Sequence, residues 1–184
     1  MSACTSQPSP PSPLPSPSPP RSQRAILQLR PVLDLVTPSS PRWEKTVVTC
    51  AAGDASFSVC LVSTLDASRI VLAGPPSKAQ PKYVLGPLIA DGGDVAQANV
   101  IQVPQARRGG WQVNIRLTPG ASKAFSAATA KALQASYPRN EIAIVVRGQV
   151  VSAPQVAGVV TTGDIAIRES TRREAGALVA SLGP

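Results

Sequence analysis

Three cysteines, two closely spaced aspartates and a complete lack of histidine limit the chemistry open to this 184-residue chain. Without an imidazole there is no Ser-His-Asp or Cys-His nucleophile system and no histidine metal ligand. Cys4, Cys50 and Cys60 alone cannot complete a tetrahedral thiolate zinc site. Asp91 and Asp94 have the proximity of a hydrolytic carboxylate pair, but Asp91-Gly92-Gly93-Asp94 is a turn sequence. Asp94 is placed there to cap a following helix. Gly92-Gly93 and Gly109-Gly110 lack the spacing of a phosphate cradle, and Ser122-Lys123 is not a Ser-x-x-Lys pair. The chain therefore offers no catalytic residue, metal site or cofactor site, and is read as a non-enzymatic module.

The cysteines carry a different chemistry. Cys50 and Cys60 enclose AAGDASFSV, with Val47 and Val48 before the first and Val59, Leu61 and Val62 around the second. This reads as two strands of a hairpin turning at Gly53-Asp54. A disulfide across it would contribute roughly 2–3 kcal/mol and imply an oxidising compartment. The alternative is a pair of reduced core cysteines. Met1-Ser2-Ala3-Cys4 resembles the end of a bacterial lipoprotein signal, in which the cysteine is acylated, although no basic or apolar segment precedes it. Cys4 is therefore a lipidation candidate, and a free cysteine in a tail is the other reading. Residues 8–20, PSPPSPLPSPSPP, contain eight prolines and no charge, which predicts an extended spacer over a ligand for an SH3-like groove.

The net charge of +8 is spread thinly, with only Arg107-Arg108 and Arg172-Arg173 adjacent, and the few aromatics are scattered. A nucleic-acid partner is not expected from that pattern. No stretch approaches the ~20 apolar residues of a spanning helix.

The elements follow from periodicity. Ala25 to Val36 alternates as a strand interrupted or ended at Pro31, and Lys82 to Ile89 is extended. Asp94 to about Ile101 is predicted as a helix. Trp111, Val113, Ile115 and Leu117 alternate with Gln112, Asn114 and Arg116 as a half-buried strand. Pro119 opens a helix whose stripe is Ala121, Phe125, Ala128, Ala132 and Leu133, ending at Tyr137-Pro138. Ile142 to Val146 is a central strand, and Arg147-Gly148 turns into Gln149-Val150-Val151-Ser152. Ile165 to Ile167 is a short strand, and Thr171 to Leu182 is a closing helix with Thr171 and Glu174 as capping box. The fold class is α+β: one largely antiparallel sheet with helices packed on one face. Residues 1–24 form a Pro/Ser-rich tether, 25–81 N-terminal strands and a hairpin, and 82–184 the main α+β domain.

Ordered blocks carry a resemblance. Tyr83-Val84-Leu85-Gly86-Pro87, Asp94-Val95 and Gly110-Trp111-Gln112-Val113-Asn114-Ile115 are followed by Pro119-Gly120-Ala121 and Lys123-Ala124-Phe125. Glu141-Ile142-Ala143-Ile144-Val145-Val146, Val150-Val151-Ser152-Ala153-Pro154 and the Thr171–Leu182 helix complete the series. In this order they resemble the head subdomain of the first periplasmic domain of SecD-type protein-export proteins. Leu27-Gln28-Leu29-Arg30-Pro31-Val32 is similar to the strand that begins that domain. Arg147, Thr162-Gly163-Asp164 and Arg168-Glu169-Ser170 depart from the family pattern, all at turns.

The resemblance implies an extracytoplasmic domain that binds emerging polypeptide or an export partner; the membrane part that couples proton flow has no counterpart here. Gln155, Val156, Val159 and Val160 lie in the apolar stretch QVAGVVTT and are the candidate partner contacts, a buried connection being the alternative. Peripheral membrane association through a lipid anchor on Cys4 follows from the tether reading. A structural or assembly module of an unrelated envelope complex is the competing function.

Overall fold

The computed structural model describes residues 20, 24, 26–50, 57–75, 80–104, 110–169 and 171–182. Cys4, residues 8–19, Gly53-Asp54, Arg107-Arg108 and Ser170 lie outside them.

Strand β1 (Leu27–Val36) is the spine of the larger sheet. Of the two expectations at Pro31, an end or an interruption, the strand shows the second: it continues through the proline with a change of partner. The Pro31 carbonyl accepts from the Gly86 N–H at 2.9 Å, and the missing N–H falls where β1 exchanges its partner strand and its register shifts. A proline is tolerated at such an irregularity. Strands β2 (Ile70–Ala73), β3 (Lys82–Leu85), β7 (Ile142–Val146) and β8 (Gln149–Ser152) complete the order β2-β3-β1-β7-β8, with β4 (Ala90–Asp91) paired beside β1. Every residue of β7 is buried because both its faces are covered. Ile142, Ile144 and Val146 enter one apolar cluster, Ala143 and Val145 another. The β7–β8 hairpin turns through Arg147 and Gly148 at φ 49° and 76°, the doubly left-handed geometry that suits a two-residue hairpin.

A second sheet holds β5 (Val95–Val103), β6 (Gly110–Leu117) and β9 (Asp164–Glu169) in the order β5-β6-β9, so there are two antiparallel sheets where one was expected. β5 also corrects the helix expected from Asp94. Asp91, not Asp94, is the cap: its carboxylate accepts from Gly93 N at 2.8 Å, while Asp94 accepts from Asp91 N at 3.0 Å. The box closes a single 3-10 turn, Gly92–Asp94. Beyond it, Ala98 and Val100 alternate toward the core opposite Ile115 and Val113, and β pairing outweighs the weak helical pattern.

The hairpin expected across Cys50 and Cys60 is likewise absent. Val47 is exposed outside any strand, and Phe57–Ser63 is helix α1, followed by a 3-10 turn over Thr64–Asp66. A helix this short is marginal without tertiary anchors. The disulfide itself is present, at S–S 2.01 Å.

Helix α2 (Pro119–Leu133) begins at Thr118, whose Oγ1 accepts from Ala121 N, and Pro119 fills the first turn. Its buried stripe is Ala121, Phe125, Thr129 and Ala132; Leu133, expected inside, is exposed. Helix α3 (Arg172–Leu182) has the expected capping box, with Glu174 N donating to Thr171 Oγ1 and Thr171 N to Glu174 Oε2. Helices α2 and α3 and both sheets share one core, from Leu27, Leu29, Ile144, Val113, Ile115 and Ile167 to Phe125, Ala175 and Leu178. The architecture is α+β with antiparallel sheets, as the patterning predicts.

Candidate functional site

The apolar segment after β8 is placed by backbone bonds rather than by its own packing. Ile142 N donates to Pro154 O at 3.3 Å, Val156 N to Asn140 O at 2.8 Å, and Gln155 forms a bridge with Glu141. The segment is then pinned to α2, where Thr129 Oγ1 accepts from Val160 N at 3.1 Å. That bond gives the threonine in the buried stripe of α2 a task, its hydroxyl accepting from Val160 N and donating to Ser126 O at 2.9 Å. Val156 and Val160 lean on the core, whereas Gln155 is exposed and Val159 is 47% exposed. The four predicted contact residues are thus together, on one wall of a cleft.

The cleft has a volume of about 440 Å³. Phe125 and Thr129 form its α2 side, Leu29, Ile142 and Ile144 its floor, Val156, Val159 and Val160 its outer lip, and Asp164 to Ala166 its far edge. Among the described residues, that far edge has no strand paired to it beyond β6. Leu117 N donates to Gly163 O, and the β6–β9 register then turns the backbone of Ile165 and Ile167 toward β6. By the same alternation the N–H and C=O of Ala166 and Arg168 point away from β6, and the sheet order ends at β9. The opposite end of this sheet, β5, also has an outer edge, but the cleft adjoins only β9. An open edge beside apolar side chains is a surface on which an extended chain can add as a strand.

The other sequence candidates fall away from this cleft. Asp91 is buried, capped as above, and paired with Arg24 at 2.7 Å; Arg24 is raised chiefly by its hydrogen bond to Asp91. Trp111 packs on the core, with the Arg172 guanidinium 5.5 Å from its ring centre. Among the described residues no three Cys, Asp or Glu side chains group as a metal site, and no helix is long and apolar enough to cross a membrane.

One buried group escaped the sequence reading. Arg30 is fully buried, and its guanidinium donates to Gln28 Oε1 at 2.8 Å, Gly86 O at 2.7 Å and Ala67 O at 3.0 Å, and also to Thr64 O. Gln28 in turn donates to Thr64 Oγ1 at 2.8 Å. These oxygens are neutral, so burial pulls the guanidinium down to about 10. Its role is to hold the Thr64–Ala67 turn against β1.

Two antiparallel sheets share one core with helices α2 and α3, and the β9 edge lies beside an apolar cleft. Residues 69–183 match the family described as SecDF, P1 head subdomain, and the chain belongs to that family. It is 36% identical over 107 residues to the protein translocase subunit SecD of Streptomyces coelicolor, a match covering 58% of this chain and 19% of that protein. The match thus spans about a fifth of the relative's length. The fold is similar to a solved structure of a membrane component SecDF that enhances protein export, with TM-score 0.50 and 24% identity, over 88% of this chain and 63% of the other. A crystal structure of SecDF in a super-membrane-facing form is similar at the same TM-score and identity, over 88% of this chain and 19% of that one.

Proposed function

We propose that this chain is an extracytoplasmic module associated with protein export that receives an extended polypeptide segment along β9. The observation that carries this reading is the unpaired β9 edge lying beside the apolar cleft. Backbone groups of Ala166 and Arg168 supply sequence-tolerant hydrogen bonds, while alternate side chains of the guest enter between Phe125, Val159 and Ile165. An unfolded chain presents both features; a folded protein presents neither at once. Family membership supports the export setting, and the disulfide supports an oxidising one. The Pro/Ser-rich residues 1–24, with Cys4 as lipid attachment point, would serve as tether, while residues 82–184 together with Leu29 of β1 carry the cleft.

Fluorescence anisotropy of a labelled, permanently unfolded polypeptide against the full chain tests the reading. Binding is expected for the unfolded form and not for its native counterpart, and Val159→Asp, at an exposed position, weakens it by roughly tenfold or more through a charge in the cleft mouth. Equal affinity for native protein, or no effect of Val159→Asp, refutes it.

A further inference from the structure

The other end of the fold treats its edge in the opposite way. In β2, Gly74 N donates to Pro81 O, so the β2–β3 register turns the backbone of Val71 outward, away from β3. Both of its outward groups are taken by one residue: Thr49 N donates to Val71 O at 2.7 Å, and Thr49 Oγ1 accepts from Val71 N at 2.8 Å. Thr49 immediately precedes Cys50. Through the disulfide Cys50 is joined to Cys60 of α1, and α1 runs directly into Thr64, whose carbonyl and hydroxyl accept from Arg30 and Gln28. Upstream, Lys82 Nζ holds the same arm, donating to Trp43 O at 2.8 Å and Thr46 O at 2.7 Å and lying 3.9 Å from the Trp43 ring centre. Cys50 and Leu65 are buried together with Cys60, Val62 and Leu88 against them.

We infer that the Cys50–Cys60 disulfide is a redox lock: it ties the residue that seals the β2 edge to the turn that satisfies the buried Arg30, and a dithiol opens it. The opening step is thiol–disulfide exchange. The dithiol gives up two electrons and two protons and becomes a disulfide, and the sulfurs of Cys50 and Cys60 take them up as two thiols. Reduction removes the cross-link beside Thr49 and leaves its arm, among the described residues, to the Lys82 bonds and the packing of Cys50 on Leu65, so Val71 loses its partners first and an edge strand is uncovered. The domain is therefore closed at β2 only where a disulfide persists, outside a reducing compartment.

Amide hydrogen exchange on the full chain tests this, comparing the oxidised protein, the protein in dithiothreitol, Cys60→Ser and Thr49→Val. On reduction and in Cys60→Ser, exchange at Val71 and Ala67 rises roughly a hundredfold, the loop-closure effect for a cross-link of this span, while Val113 and Ile144 are unchanged. Thr49→Val, with the disulfide intact, raises exchange at Val71 and not at Ala67. Unchanged protection at Val71 on reduction overturns the proposal. So does a rise of equal size at Val113 and Ile144, which would make the disulfide a general stabiliser only.

Discussion

Replacing Arg30 by methionine removes the most unusual group in the molecule, and the outcome follows from two opposing magnitudes. Burial among neutral oxygens brings the guanidinium from its ordinary value down to about 10, and at ~1.36 kcal/mol per unit this costs the folded state about 3 kcal/mol at neutral pH. Against it stand four hydrogen bonds from a charged donor, each worth about 1.5–3 kcal/mol. Methionine relieves the first and forfeits the second, so that Gln28 Oε1 and the carbonyls of Thr64, Ala67 and Gly86 each lose a charged donor. The net loss is about 3 kcal/mol or more. The pH dependence has a definite sign. The unfolded chain holds the Arg30 proton more tightly than the folded one, so the burial cost is complete well below pH 10 and is relieved as pH rises through that value. Urea unfolding of both proteins at neutral pH and near pH 10 reads this directly: the stability gap between native and variant widens with pH. A loss under about 1 kcal/mol, or a gap that narrows with pH, would show that Arg30 is not held as a desolvated cation.

Two further substitutions probe the frame around the cleft. Gly163 sits at φ +69°, and a Cβ there meets Ser122 Oγ and Cβ at the start of α2. Gly163→Ala should cost about 2–4 kcal/mol and lower Tm by roughly 5–15 °C, with Ser122→Gly in the same chain recovering part of the loss; an unchanged melting curve contradicts the packing. Glu141 is buried at the start of β7, and desolvation raises its carboxyl above the ordinary 4.5. The folded state then holds that proton more tightly, so stability falls as pH rises through the raised value. Glu141→Gln is accordingly more stable than the parent at pH 7, and the difference closes below 4.5, measured from urea midpoints at both pH values.

Where one local pattern decides an element, the chain announced it. Trp111–Leu117 alternates cleanly, Thr118-Pro119 starts α2, Arg147-Gly148 makes its hairpin, and Thr171 with Glu174 caps α3. The failures are those in which distant residues decide. Val95–Val103 became strand because β6 offered it partners, and a lone Asp94 before it could not say whether a helix or a single turn followed. Phe57–Ser63 is helix although Val59 and Val62 read as strand, because the disulfide from Cys50 anchors its middle and the Thr64 turn its C-terminal end. Arg30 in LQLRPVLDLV reads as a solvent-facing residue of an alternating strand; only the return of Thr64–Ala67 over β1 buries it. At the cleft, the apolar lip from Gln155 to Val160 was legible from its composition. The open edge of β9 was not, since an edge exists only once the order of strands is known.

The measurement that bears most directly on the cleft is amide exchange of the oxidised full chain with and without a saturating extended apolar peptide. Strand addition predicts that the Ala166 and Arg168 amides become protected while the already paired Ile165 and Ile167 change little. Protection confined to the polar outer face around Gln97, Asn99 and Asn114, or no change anywhere along β9, would contradict the account.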